Sequence, residues 1–370
     1  MPPETAHNVG MAVARLSKPA HGIIRRTLGY ENSVLSQFLW GLQFRSPVGL
    51  AAGLDKNGVA IPYWGAIGFG LVEVGSVSAK PWPGNERPRL FRLPSDRALI
   101  NRMGLNNAGV EQLAARLAKL PKGLPPIGVN IVKTPDPAVV GDAAIDDFAE
   151  SLTAVISHAG FVTINISCPN TAEGKTFEEP RALDSLLSRL LAIRNETRRH
   201  LPLLVKMGPA LSTRTVYDSL IDDVVSVCMQ HGVDGFVASN TSMTRDGLNT
   251  PPDRLRRIGD GGLSGAPLDD LSTHLVRYLY RRSEGLVPII GVGGMNSAES
   301  AFRKILAGAS LLQLYTALVY DGPGLVKRIK EGLSALLAQN GFQTLRSAVG
   351  AEDRTRWRYE PEEAAEAAAE

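Results

Sequence analysis

The residues of this sequence best suited to chemistry are amides, hydroxyls and lysines standing at the ends of short apolar runs. Ala52-Gly53-Leu54-Asp55-Lys56 follows one run, Ser76 and Asn130 close the next two, and Asn165 leads into Ser167-Cys168-Pro169-Asn170. Lys206, Ser239-Asn240-Thr241, Gly293-Gly294 and Tyr315-Thr316 complete the series. Any one of these passes as a cap or a turn. A hydrophobic core does not gather so many polar groups at strand ends, because each needs a buried partner, so the set points to a site.

Gly291-Val292-Gly293-Gly294, followed by Asn296 and Ser297, presents bare backbone N–H groups near a helix start, and Tyr315-Thr316 adds further donors. That suits a phosphate, carried by a cofactor or, alternatively, by a sugar-phosphate substrate. Lys206 fits either the negative charge of a reduced flavin or a Schiff base. The amides of Asn130, Asn165, Asn170 and Asn240 match the C=O and N–H edge of a flat heterocycle. An aldolase would need carboxylates beside its lysine, and Asp55 is the only acid at a strand end. Cys168, in a polar loop, is placed to remove a carbon-bound proton as a thiolate, whereas Cys228 falls in an apolar helical stripe and belongs to the core. With six histidines, none at a strand end, and no acidic cluster, no metal is expected.

Eight apolar runs must carry these groups: Val48–Ala52, Leu71–Gly75, Ile127–Ile131, Val162–Ile166, Leu203–Met207, Gly235–Ser239, Ile289–Gly293 and Leu311–Tyr315. Most are separated by helical spacing, as in Leu183, Leu186, Leu187, Leu190 and Leu191. Strands apolar on both faces and alternating with helices predict a parallel sheet, and eight units predict a closed (β/α)8 TIM barrel with chemistry at the carboxyl ends of its strands. A doubly wound sheet is the rival, but the first strand–helix turn lacks GxGxxG. Residues 46–340 form this barrel, and the long connections 76–126 and 240–287 are candidate active-site loops. Residues 1–45 read as amphipathic helices, with one stripe at Ala6, Val9, Val13 and Leu16 and another at Val34, Leu35, Phe38, Leu39 and Leu42, beside Arg15, Lys18, Arg25 and Arg26. They suit either a cap on the barrel or a surface for a membrane or an apolar ligand. Residues 341–370, ending in Glu/Ala repeats, read as a partly disordered tail.

The composition bounds the partners. Lys and Arg number 40 against 37 Asp and Glu, which gives no electrostatic case for nucleic acid. Two cysteines exclude a disulfide framework and a cysteine-built zinc site. No apolar stretch is long enough to span a bilayer and no signal-peptide pattern opens the chain, so neither secretion nor a membrane span is expected.

The sequence resembles the dihydroorotate dehydrogenases, through Gly49-Leu-Ala-Ala-Gly-Leu-Asp-Lys-Asn-Gly58, Asn101-Arg-Met-Gly-Leu-Asn106, Asn165-Ile-Ser-Cys-Pro-Asn-Thr171, Gly262-Leu-Ser-Gly265 and Gln313-Leu-Tyr-Thr-Ala-Leu318. It looks most like class 2, the membrane-associated, quinone-reducing branch with an N-terminal extension. The resemblance implies FMN held by Ala52, Gly53, Leu54, Asp55, Lys56, Ser76, Asn130, Asn165, Lys206, Ser239, Gly265, Gly294, Tyr315 and Thr316. It implies dihydroorotate held by Lys56, Asn101, Arg102, Met103, Gly104, Leu105, Asn165, Asn170, Asn240 and Thr241, with Cys168 as the base on the way to orotate and quinone as the acceptor. Cys168 stands where class 2 usually has serine, and the abrupt start predicts a short or missing first helix. Arg92 matches a family position at the flavin end of the quinone tunnel. Peripheral attachment to the cytoplasmic face of the membrane through residues 1–45 follows, with a cytoplasmic enzyme as the alternative. Fumarate or NAD as acceptor, an RNA dihydrouridine synthase and a non-catalytic flavin binder are the competing readings.

Overall fold

The computed structural model describes residues 1–167, 176–197, 199–209, 212 and 217–356. Eight parallel strands close into a barrel: β1 (Val48–Leu50), β2 (Leu71–Val77), β3 (Ile127–Ile131), β4 (Phe161–Asn165), β5 (Leu203–Lys206), β6 (Gly235–Ala238), β7 (Ile289–Val292) and β8 (Ala309–Leu314). Each pairs with the next in sequence, and β8 pairs back onto β1 with Leu314 opposite Leu50. All eight expected runs are strands, and the fold is the expected TIM barrel.

Alternation sorts each strand into an outward row packed on helices and an inward row filling the barrel. The lower interior is apolar, built from Leu71, Phe161, Leu204, Val237, Ile290 and Leu311. Glycine at 128 makes room for this layer, since a Cβ there would lie 2.2 Å from the Phe161 ring. Two residues further along the same rows come Glu73, Asn130, Thr163, Lys206 and Gln313, all buried. The barrel thus changes from hydrocarbon to polar within one layer.

The amino-terminal end is closed by something other than the expected helix. The stripe Val34, Leu35, Phe38, Leu39 and Leu42 lies on a short 3-10 turn and an antiparallel hairpin, Gln37–Leu39 paired with Leu42–Phe44. Trp40 and Gly41 form the turn with φ of 55° and 75°, a left-handed pair matching the strand twist. The period is two, so Gln37 and Phe44 point inward while Phe38, counted in the helical stripe, is 67% exposed. Phe44 enters the apolar barrel floor, and the Trp40 indole donates to Asp234 O at 2.7 Å while its ring meets Phe44 and Phe161 at 6.0 Å.

Ahead of the hairpin lie α1 (Pro3–Leu16) and α2 (His21–Leu28). The first helix is therefore neither missing nor short, at 14 residues. The stripe Val9, Val13 and Leu16 faces solvent, and the face that packs carries Pro3, His7 and Met11. The two long connections meet in a three-stranded antiparallel sheet, Leu90–Leu93, Ala98–Asn101 and Gly262–Gly265. At the other end the expected tail is packed as far as residue 353: Leu345 and Ala348 are fully buried, and Arg281 pairs with Asp353 at 2.6 Å.

The hairpin plug yields a stability prediction. Trp40→Ala removes a large ring and an indole hydrogen bond, and it should cost roughly 2–4 kcal/mol. Chemical denaturation should show this, with Trp40→Phe falling between the variant and the parent; an unchanged midpoint in Trp40→Ala would remove the plug from the stability argument.

Candidate active site

The carboxyl end of the barrel is organised from its floor. Both carboxylate oxygens of Glu73 accept amide N–H groups, from Asn130 at 2.8 Å and from Gln313 at 2.5 Å. That commits the Asn130 nitrogen to Glu73 and turns its oxygen toward Ser76, whose hydroxyl donates to it at 2.5 Å. Ser76 Oγ in turn accepts from Asn165 Nδ2 at 3.1 Å, and Asn165 Oδ1 accepts from Asn240 Nδ2 at 3.4 Å. The same Asn240 nitrogen reaches Ser167 O at 3.1 Å and Ser167 Oγ at 3.2 Å. Ser76, Asn130, Asn165 and Asn240 were expected to share a site, and the structure joins them in one chain of hydrogen bonds. Lys206 stands two residues above Leu204 on the inward row, opposite Asn165 in the register.

Glu73 and Gln313 were missed. The signal was present, since a lone glutamate in Leu71-Val-Glu-Val-Gly75 and a lone glutamine in Leu311-Leu-Gln-Leu314 interrupt runs that are otherwise apolar. On an inward row such a residue has to have buried partners. Gln313 Oε1 is buried without a hydrogen-bond partner among the described residues and lines the mouth, where it can accept an N–H from a ring placed there.

The mouth cavity gathers Ala52, Ser239, Asn240, Thr241, Gly265, Gly294, Tyr315 and Thr316 from the expected set. At one end the β7 loop meets α3 (Asp269–Arg282). Gly294 has φ +73° and abuts the start of α3 so closely that a Cβ would lie 2.2 Å from Asp269 N. The glycine thus lets the β7 loop pack on α3, and the backbone of Gly293 and Gly294 lines the mouth as a cradle that suits a phosphate. Across it, Ser264 Oγ and Thr316 Oγ1 share a hydrogen bond of 2.8 Å, so Ser264 is a further hydroxyl at this end. The cradle, the orphan acceptor of Gln313 and the cation of Lys206 fit a flat, phosphorylated cofactor.

The rim carries the other expected contacts. Lys56 Nζ donates to Asn106 Oδ1 at 2.6 Å, linking the β1 loop to the loop 101–106. Within that loop Gly104 and Leu105 take φ of +67° and +57°, Met103 O accepts Asn85 N–H at 3.1 Å, and Asn101 Nδ2 donates to Gly262 O at 3.2 Å. Arg102 is committed elsewhere, its guanidinium donating to Ile258 O and Asp260 O and lying 4.6 Å over the Phe91 ring. Asp55 is also committed: its carboxylate accepts Val59 N–H and Ala60 N–H at 2.8 Å and the Trp64 indole at 3.0 Å, capping the turn into helix Ile61–Ala66. Burial pushes its carboxyl above the ordinary range, against the pull of those donors. Cys168 and Asn170 lie outside the described residues; Ser167, just before them, is fully buried.

A second cavity, of about 310 Å³, opens beneath α1 and is lined by His7, Met11, Leu54, Tyr63, Arg92 and Tyr315 among others. Leu54, expected beside the cofactor, faces this side. Burial, with Lys56 second, holds the His7 imidazole below its ordinary value, so it is neutral at pH 7. Glu4 on α1 clamps Arg89 at 2.8 Å, and the guanidinium also donates to Pro83 O and Asn85 O, fastening the helix over the cavity. Tyr315 lines both cavities.

Comparison with known proteins agrees with this architecture. The family model for dihydroorotate dehydrogenase matches residues 34–337. Proteins named dihydroorotate dehydrogenase (quinone) from Nocardia farcinica and Mycobacterium tuberculosis are each 43% identical, over 96% of this chain and 95% and 96% of their own lengths. The crystal structure of DHODH from Eimeria tenella in complex with ferulenol superposes with a TM-score of 0.84 at 33% identity, covering 95% of this chain and 96% of that one. By sequence across nearly its whole length, and by fold, the chain belongs to the dihydroorotate dehydrogenase family.

Proposed function

We propose that this chain oxidises (S)-dihydroorotate to orotate, a step of de novo pyrimidine nucleotide synthesis, with FMN as its flavin and a quinone as electron acceptor. One observation carries the acceptor: Tyr315 lines both the polar mouth and the apolar cavity under α1, so the two adjoin at this residue. The cavity under α1 offers an apolar room next to the mouth, with His7 and Arg92 as polar groups for the carbonyls of a quinone ring. The relatives carry quinone in their names.

The chain's own part in the chemistry follows from its donors and acceptors. Gly293-Gly294, Gly265 and Thr316 hold the phosphate end, and Gln313, Asn130 and Lys206 the ring edge. FMN held there would supply the redox chemistry, as acceptor for the C6 hydride of dihydroorotate and donor of two electrons to the quinone. Lys56 and the backbone of loop 101–105 suit the substrate carboxylate, while Asn165, Asn170, Asn240 and Thr241 align its pyrimidine edge. Cys168 takes the C5 proton as the C6 hydride leaves, and the C5=C6 double bond of orotate results. A thiol, with a reference pKa near 8.5, ionises far more readily than a serine hydroxyl.

Cys168→Ala should slow flavin bleaching by dihydroorotate roughly 10²- to 10⁴-fold while the protein stays yellow. Unchanged reduction kinetics would take Cys168 out of the mechanism. The acceptor is tested by removing residues 1–29, a cut that spares the hairpin plug at Gln37–Phe44. Anaerobic stopped-flow should show bleaching by dihydroorotate retained and reoxidation by a short-chain ubiquinone lost; reoxidation of the parent by fumarate or NAD with quinone inert would sink the reading.

No helix among the described residues is long and apolar enough to cross a membrane. Val9, Val13, Leu16 and Ile23 are nevertheless exposed on α1 and α2, beside Arg15, Lys18, Arg25 and Arg26. That combination suits peripheral binding to an anionic bilayer and supports the reading of a peripheral enzyme at the cytoplasmic face of the membrane. Val13→Glu with Leu16→Glu should abolish co-sedimentation with anionic vesicles and leave flavin bleaching intact; retained sedimentation would exclude this face.

A further inference from the structure

Behind the Gly293–Gly294 cradle lies a buried cation. Lys304, on α4 (Ala298–Leu306), is fully buried, and its stem occupies space that glycine at 291 leaves open, since a Cβ there would sit 2.7 Å from Lys304 Cδ. Its ammonium donates to Ser272 Oγ and Thr273 Oγ1, both at 2.7 Å, and lies 3.5 Å from Asp269 Oδ1. Those three partners are the first turn of α3, the helix that Gly294 abuts. Burial drives the lysine down to about 8 even with Asp269 opposing it, so the ammonium is held there against a desolvation cost.

Hydrogen-bond direction gives that cation a consequence at the cradle. An ammonium only donates, so Ser272 Oγ accepts from Lys304 and keeps its own proton for the far side. Gly293 O stands there at 2.9 Å, nearer than the competing Asp269 O at 3.2 Å. The Gly293–Gly294 peptide is not among the cis bonds of the chain. In a trans peptide C=O and N–H point in opposite directions, so a carbonyl pinned toward α3 turns the Gly294 N–H away from it, toward the mouth that both glycines line.

We propose that Lys304 is a positioning residue for the cofactor's phosphate, acting through Ser272 to orient the Gly293–Gly294 peptide and holding positive charge behind the cradle. This rests on the reading of that loop as the phosphate site. The test uses the full-length protein freed of flavin and titrated, by flavin fluorescence, with FMN and with riboflavin, which lacks the phosphate. The parent should prefer FMN. Lys304→Met, which keeps the stem and loses the ammonium, should weaken FMN binding about 10- to 100-fold, as loss of an oriented donor to a charged group does, and leave riboflavin binding unchanged. Ser272→Ala should act in the same direction and decides the matter if Lys304→Met does not fold. Equal weakening of both ligands, or unchanged FMN affinity, would overturn the role of Lys304. A parent that binds FMN and riboflavin equally would overturn the phosphate cradle itself, and the proposal with it.

Discussion

The active end of this barrel depends on one buried carboxylate. Glu73 sits on an inward row above an apolar floor, and its two oxygens require donors. An asparagine side chain has one donor end and one acceptor end. Once Asn130 gives its nitrogen to Glu73, its oxygen has to face Ser76, and the choice propagates through Ser76 and Asn165 to Asn240. Each donor in that chain points toward Glu73, so no amide can flip alone without setting acceptor against acceptor. A site that must present fixed donors and acceptors to a planar ring is thereby oriented from below, leaving the groups above free for ligand.

The same economy separates two tasks in space. Barrel strands and their loops carry the groups proposed for proton and hydride transfer, while those proposed for the acceptor, His7 on α1 and Arg92 on the strand Leu90–Leu93, line the cavity beneath α1. Besides the packing of Met11, Ala14, Ile24 and Leu28 on the core, the extension is fastened at polar points: Glu4 clamps Arg89, and the buried ammonium of Lys330 donates to Tyr30 O at 2.6 Å and Gly68 O at 2.8 Å. Burial lowers that lysine to about 8. A cavity nevertheless remains beneath α1.

What could be read in the sequence followed burial on two faces. Strands covered on both sides are apolar throughout, so the eight runs and the barrel were legible, as was the glycine loop, whose residue type is itself the signal. The hairpin was not, because Val34, Leu35, Phe38, Leu39 and Leu42 satisfy a helical spacing while Trp40-Gly41, the turn that overrides it, is not a standard hairpin pair. Glu73 and Gln313 were hidden by their apolar neighbours, and position at a strand end does not reveal that the Asp55 carboxylate is spent on capping. Lys304 looks in sequence like any lysine on an amphipathic helix. Only the space above Gly291 shows that it points inward.

These cases share a physical reason. Apolar burial is non-directional and leaves a periodic trace in sequence, whereas polar function depends on which end of a group faces which neighbour. Gln313 shows the difference most clearly. Its nitrogen is committed to Glu73, and its oxygen is buried at the mouth without a partner among the described residues. Leaving such an acceptor unmet costs about 1–3 kcal/mol, so a ring that donates an N–H to it gains what the protein alone forgoes. Glu73 therefore does more than order the asparagines: by claiming the Gln313 nitrogen it turns the acceptor outward and ties the stability of the barrel mouth to whatever ring completes that bond.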